Sequence, residues 1–418
     1  MNKRTKSGIP FVGLHAHSVA GSLFDALGYP PDHMDFAYEN GCDALALTDH
    51  GNANGLSHQV LHAKKMKEEG RDFKPIFGCE AYFIPSISEW RNEYERALED
   101  KKRAKTLGSE LSGATVEDEN SSKKVQDVLR RRRHLILLAQ NQTGLQNIFK
   151  LISESYKSEN FYRYPRMDYD LLAKYGEGVI AASACLGGVY AGNFWENREE
   201  GDEAVLNAMR ETTRRMVAIF GDRWYGELQW NNVPEQHKLN QFIIKMHEEF
   251  GIGLISTADS HYPNPDAWKD RELYKRLGWL GKAAPSYEST ELPIDVDEIG
   301  YELYPKNGDQ MWESYKKYSA ECGVEYDDDL VLQSIKHTHE IAHQRIEDFL
   351  PDNTVRLPDF VVPAGYTATQ ALVNMSIEGL RVKGFHNDKE YTERLPHRSR
   401  SWLCRRFSCG LCPRYHSD

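Results

Sequence analysis

No apolar run in these 418 residues approaches the ~20 that a membrane span needs. The opening MNKRTKSGIP leads into FVGLHAH without the apolar stretch of a signal peptide. Excess positive charge is missing too, the formal net charge being −11. A chain that grips nucleic acid over its whole surface is usually basic, so any such contact is expected to be local. A bound cluster of cations would supply positive charge at one spot, although a generic acidic cytosolic protein has the same composition. Cysteines are few. Cys42, Cys79, Cys185 and Cys322 stand alone, and only Cys404, Cys409 and Cys412 crowd together near the end. A reducing, cytoplasmic setting away from membranes is the simplest expectation.

What is present is an alternation. Seven short apolar runs read as buried strands: Phe11–His17, Asp43–His50, Lys74–Ile84, His134–Gln140, Gly178–Cys185, Trp224–Trp230 and Gly253–Tyr262. Segments with helical spacing lie between them, such as PPDHMDFAYENG, GLSHQVLHAKKMKEEG and PEQHKLNQFIIKMHEEFG. Serial strand–helix units imply an α/β fold with a mainly parallel sheet, and seven of them suggest closure into a barrel. Residues 86–133 interrupt the series with dense mixed charge and few large apolar residues, and read as a solvated helical excursion or a partly disordered insertion. Its basic end, Arg130 to Arg133, suits either a phosphate backbone or a plain solvated face. We expect a barrel domain over 1–285, a helical connector over 286–345 that includes the amphipathic DDDLVLQSIKHTHEIAHQRI, a further region over 346–395, and a tail over 396–418.

In a parallel α/β barrel, reactive groups gather where the strands run out. Five of the seven strands deliver candidate metal ligands there: His15 and His17 with Asp25 beyond, Asp49 and His50, Glu80, Cys185, and Asp259 with His261. Imidazole, carboxylate and thiolate groups are those that bind divalent transition ions. Their number exceeds the needs of one tetrahedral ion, so two or three ions are expected. Singly, each piece has a plainer reading: an H-x-H pair is often a satisfied core pair, and a lone cysteine such as Cys185 a small buried hydrophobe. Joint placement at strand ends is what points to metal.

These residues resemble the PHP (polymerase and histidinol phosphatase) superfamily. Within it they are similar to the PHP domain of the bacterial DNA polymerase III alpha subunit, a C-family replicative polymerase. The motifs are FVGLHAHSVAGSLFDAL, CDALALTDHGNANGL, KPIFGCEAYFIP, HLILLAQNQTGLQNIFKLIS, VIAASACLGG and STADSHY, with LQWNNVPEQHKLNQ and LPDFVVPAGYT matching the polymerase branch. The likeness runs from about Phe11 to Phe385 and implies a distorted seven-stranded (β/α)7 TIM-like barrel with a trinuclear metal centre. By resemblance, His15, His17, Asp25, His50, Glu80, His134, Cys185, Asp259 and His261 are the ligands. Asp49 stands beside them as a supporting group, and Asp25 lies one residue further along than the family pattern. His134 opens its strand instead of ending it, and its place rests on the resemblance alone. The implied chemistry is hydrolysis of a phosphodiester, with Glu80 and Asp259 spacing the ions and His261 or His17 assisting proton transfer. Manganese or zinc is expected, with iron as an alternative, because histidine and cysteine suit magnesium poorly.

The polymerase branch further implies a 3′–5′ exonuclease acting on single-stranded primer ends, with DNA, a polymerase palm and other replisome subunits as partners. By the same resemblance 346–395 is a C-terminal extension entering the polymerase palm; the palm carboxylates of that branch lie after LPDF, and this chain ends before such a motif, so no DNA synthesis is expected from it alone. Asp327 to Asp329 read as a helix cap. The tail PHRSRSWLCRRFSCGLCPRYHSD changes composition abruptly: Cys404, Cys409, Cys412 and His416 can be written as a zinc site, but a truncated or frame-shifted end explains them as well. Two alternatives to the exonuclease remain, a stand-alone phosphatase on a small phosphate monoester and a non-catalytic module of a split polymerase.

Overall fold

A computed structural model describes residues 7–110, 125, 127–279, 302–352, 354 and 361–388. The chain divides into two compact units, Met1–Pro351 and Asp352–Asp418. The first holds a sheet of eight strands: β1 Ala44–Leu47, β2 Lys74–Phe83, β3 Arg133–Ala139, β4 Phe161–Tyr162, β5 Tyr164–Met167, β6 Val179–Ala182, β7 Trp224–Gln229 and β8 Gly253–Thr257. In the second, the helix Ala368–Val382 is capped by Thr367, whose side chain accepts from the Gln370 amide.

The expected first strand is not a regular one. Residues 11–17 make only isolated parallel bridges, Gly13 to Leu45 on β1 and Ala16 to Ser260 just past β8. These bridges nevertheless close the ring, through bonds such as Ala46 N–H to Gly13 O (2.8 Å) and His17 N–H to Ser260 O (2.7 Å). Around the barrel the order is 11–17, β1, β2, β3, β6, β7, β8 and back again. A hairpin that sequence reading did not foresee, β4–β5, hangs on the end of β2 through Tyr82 and Phe83.

A second correction concerns direction. β3 runs antiparallel to both of its neighbours, β2 and β6, whereas the other pairings in the ring are parallel. Hydrophobic periodicity is blind to strand polarity, since a reversed strand presents the same alternation. The reversal has a local consequence: the first residues of β3 emerge at the rim where the other strands end, so His134 joins the ligand end.

Side chains alternate across the wall. Leu135, Leu137 and Ala139 of β3 face outward, packing with Phe77 and Cys79 of β2 against surrounding helices. Ile136 and Leu138 face inward with Ile76, Ile180, Tyr225 and Ile255, and the far end is plugged by Ile341, Ala342 and Ile346. The covering helices follow from local chemistry. Pro30–Glu39 begins with proline, Gln142–Ser155 is capped by Asn141, and Pro234–Phe250 ends at Gly251 with φ +67°. Asp327 caps Asp328–Glu340 by accepting from the amides of Asp329 and Leu330, as expected of that acidic run.

The insertion differs from its sequence reading. Its helix Ile87–Glu110 is not merely solvated, because Ile84, Ile87, Trp90, Ala97, Val125, Val128 and Leu129 form a small core. Sparse apolar residues suffice there because they fall on one face. The basic end is largely engaged within the protein: Arg131 pairs with Glu93 at 2.6 Å, Arg133 with Glu196, and Arg132 lies 4.0 Å over the Tyr164 ring. The LPDF segment, the tail and the early part of the connector lie outside the described residues, as do Cys404, Cys409, Cys412 and His416. No helix among the described residues is long and apolar enough to cross a membrane.

Candidate metal centre

The inward rows change character toward the rim. On β2, Ile76 gives way to Glu80; on β7, Tyr225 to Glu227 and Gln229; past β8, Ile255 to Asp259. Backbone strain accompanies this. Three of the four non-glycine residues with positive φ among those described lie at or beside candidate ligands: Phe24 (+63°) before Asp25, Ala184 (+60°) before Cys185, and Asp259 itself (+48°). Such conformations cost of order 1–3 kcal/mol each and persist where the surroundings demand a particular side-chain direction. Gly51, with φ +66°, turns the chain directly after His50, and a Cβ there would approach Pro165 to 2.8 Å.

All nine expected ligands come together. His15 Nε2 lies 2.9 Å from Glu80 Oε2, 3.0 Å from Asp259 Oδ1 and 3.0 Å from His17 Nε2. His17 Nε2 lies 2.9 Å from the same Glu80 oxygen and 3.2 Å from the same Asp259 oxygen. Glu80 also meets His134 through Oε1, and its Oε2 lies 3.6 Å from His50 Nδ1. Further out, Asp25 Oδ2 stands 2.9 Å from His50 Nε2 and 3.4 Å from His261 Nε2. Cys185 Sγ is 3.7 Å from His134 Nδ1. Potential donor atoms fall into three overlapping groups: His15, His17, Glu80 and Asp259; His50, Glu80 and His134; His17, His50 and His261. Glu80, His17 and His50 are each shared between two groups, while Cys185 and Asp25 sit at the edge.

The donors fit cations better than they fit one another. Asp259 Oδ1 is buried close to two imidazole nitrogens, yet no hydrogen bond satisfies it, and His50 Nδ1 is left the same way. Two ligands held about 2.1 Å from one tetrahedral ion stand roughly 3.4 Å apart, close to the spacings seen here. The tautomers also agree. His15 Nδ1 faces Glu227 Oε1 at 2.7 Å, so that nitrogen carries the proton and Nε2 turns a lone pair into the cluster. His261 Nδ1 donates to the Asp259 carbonyl at 2.7 Å, leaving its Nε2 toward Asp25.

Without a cation the cluster must borrow charge from protons. Burial by itself lowers the His17 pKa, but Asp259 and Glu80 outweigh it and carry the group up to about 9. His15 is likewise raised well above the usual range against its burial, by Asp259 and Glu227. Burial works to raise Glu80, but His134 and His50 hold it well below an ordinary carboxylic acid. Burial, reinforced by Asp259 and Glu80, pushes the Cys185 thiol well up. The site asks for positive charge.

Asp49 makes no hydrogen bond or ion pair with the side chains of the nine ligands. Its carboxylate accepts from the Ser18 amide (2.7 Å), the Ser18 hydroxyl (2.9 Å) and the Ser22 hydroxyl (2.9 Å), and Ser22 Oγ in turn faces His17 Nδ1 at 3.3 Å. Sequence reasoning missed two neighbours. Glu227 is fully buried in WYGELQW and also receives Thr257 Oγ1 and Gln229 Nε2; a lone acid in an apolar strand was the available signal. Arg271 donates to the Asp25 carboxylate at 2.7 Å from a helix far along the chain, and nothing in its sequence context marks it.

The PHP domain family model matches residues 13–231, just over half of the chain. DNA polymerase III subunit alpha of Aquifex aeolicus is 33% identical over 392 residues, spanning 92% of this chain and 29% of that protein. The Borreliella burgdorferi subunit is 30% identical over 375 residues (89% and 27%), and the Thermus aquaticus subunit 31% over 379 (90% and 26%). The chain thus spans under a third of the length of these relatives. A solved amidohydrolase from Chromobacterium violaceum shares 16% identity, covering 63% of this chain and 96% of its own, with a TM-score of 0.31, a likeness too slight to carry an argument. A seven-stranded ring, its rim of histidines and carboxylates and the family match agree: the chain belongs to the PHP domain family.

Proposed function

We propose that this chain is the PHP portion of a replicative DNA polymerase alpha subunit and that its rim hydrolyses phosphodiesters as a 3′–5′ exonuclease, with nucleotidyl transfer carried elsewhere. The observation that carries this reading is the convergence of seven donors from separate elements on three overlapping groups joined by Glu80, His17 and His50, with Cys185 and Asp25 at their edge. Two or three divalent ions fit that arrangement, held by His15, His17, Asp25, His50, Glu80, His134, Cys185, Asp259 and His261. Manganese or zinc suits the nitrogen- and sulfur-rich set, with iron as an alternative. When bound, such ions lower the pKa of a coordinated water and offset the charge on a phosphate.

The chain's own residues do the rest. Glu80, facing histidines on either side, keeps the donor groups at fixed spacing, and Asp259 does so for His15 and His17. Glu227 holds the His15 ring in the tautomer that turns Nε2 inward. Of the two candidate proton carriers, His261 is better placed than His17: its Nε2 points toward the partly open Asp25, whereas His17 is fully buried between Glu80 and Asp259. The partners are then a single-stranded primer end, a palm in cis or in trans, and other replisome subunits, in the cytoplasm.

The test is a labelled primer strand incubated with purified chain and manganese, zinc or iron, beside a small phosphate monoester. Stepwise shortening from the 3′ end, absent in Asp259→Ala, is expected. Hydrolysis of the monoester alone would instead support a stand-alone phosphatase. Bound metal with no hydrolysis of either substrate would support a non-catalytic module.

A further inference from the structure

The rim is not the only place where metal-binding side chains converge. Asp43 stands immediately before β1, at the end of the barrel opposite the rim. β1 and the residues that follow it reach His50 seven positions later, roughly 20 Å away along an extended strand. Facing Asp43 are His339 and His343, which lie one turn apart in the run His339-Glu340-Ile341-Ala342-His343. This run has the H-E-x-x-H form, in which two histidines at i and i+4 share one helix face as zinc ligands. A chance match is common in sequence, and structural context has to decide.

Here the context agrees on three counts. His339 lies in the last turn of the regular helix Asp328–Glu340, and His343 in the π-helical turn Ile341–Arg345 that follows. Such wide turns are rare and concentrate at functional sites. Asp43 offers a different oxygen to each ring, Oδ2 at 3.4 Å from His339 Nε2 and Oδ1 at 3.1 Å from His343 Nε2. Charge-assisted hydrogen bonds of this kind are usually about 2.7–2.9 Å, whereas ligands around one tetrahedral ion stand roughly 3.4 Å apart. The three ligand atoms lie within 4.8 Å of one another, and the side chains are 33–44% exposed, so an ion would keep open positions for water. Behind them, Ile341, Ala342 and Ile346 plug the barrel interior, and Lys74 Nζ donates to the Ile346 carbonyl at 2.6 Å.

We propose that Asp43, His339 and His343 form a zinc site at the floor of the barrel, distinct from the rim, that fastens the plugging turn to the start of β1. Placement at the end of the strands remote from chemistry marks it as a stabilising site, and its occupation does not depend on the rim being catalytic.

Zinc content of the full chain, after dialysis against zinc and then zinc-free buffer, tests this. His339→Gln/His343→Gln should hold one equivalent fewer than wild type, and Asp43→Asn should bind that equivalent at least tenfold more weakly. Glu80→Gln should lose zinc from the rim while retaining the floor equivalent. In Glu80→Gln, added zinc should still raise the unfolding temperature, and further substitution of His339 and His343 should abolish that rise. Equal zinc content in wild type and the double variant, both folded by circular dichroism, overturns the site, as does loss of all zinc on Glu80→Gln. Should the double variant fail to fold, the Asp43→Asn comparison decides, unchanged zinc affinity again overturning the proposal.

Discussion

The two ends of the barrel are built from the same inward rows yet obey opposite rules. Toward the floor, Ile76, Leu138, Ile180, Tyr225 and Ile255 pack with Ile341 and Ile346, and each buried apolar side chain stabilises by about 1.5–3 kcal/mol. Toward the rim, the rows end in Glu80, His134 and Asp259, where unsatisfied donor atoms and positive-φ backbone oppose folding. One end holds the fold; the other draws on that stability to keep costly groups together. Substitutions at the two ends should therefore separate stability from metal chemistry.

The largest separation is expected at the rim. Asp259→Ala or Glu80→Ala should lower phosphodiester hydrolysis roughly a thousandfold or more, since ion-stabilised charge contributes several kcal/mol to such barriers. Metal content should fall while the chain stays folded, and a variant that keeps full metal and rate would break the contrast. Leu138→Ala, in the inward row, should cost about 2–5 kcal/mol in denaturant unfolding. Metal content per folded molecule should not change.

Glu227 lies between the two ends and should show mixed behaviour. Glu227→Gln keeps its shape but weakens the bond that orients His15, and a metal affinity about 10–100-fold weaker is expected by competition with a chromophoric chelator. An unchanged affinity would place Glu227 with the packing residues.

A smaller effect concerns pH. In chelator-treated protein, His17 titrates at about 9, above the ordinary 6.5 of an unfolded chain. Its contribution is thus fully present below pH 6.5 and is lost as pH rises through 9, roughly 3–4 kcal/mol at most. Denaturant unfolding at pH 6 and 9.5 measures it. With metal bound the sign should reverse, because protons then compete with the ions for the same nitrogens.

Much of this was legible in the sequence because alternation and strand ends are local signals. His15, His17, His50, Glu80 and Asp259 announce themselves by lying where apolar runs stop. His134 did not, because polarity of β3 is set by its partners and leaves no trace in its own pattern. The opening strand was over-read: its apolar residues are buried, but its pairing comes down to isolated bridges. Arg271 and Ser22 meet the site only through tertiary contact. The insertion was under-read, since a few apolar residues on one face of Ile87–Glu110 make a core that composition alone conceals.

Elemental analysis of the purified chain beside Glu80→Gln tests the central claim most directly. Two or three equivalents of manganese, zinc or iron that depend on Glu80, with stability that falls on chelation, are expected. Identical metal content in both proteins, and unfolding indifferent to chelator, would contradict the account.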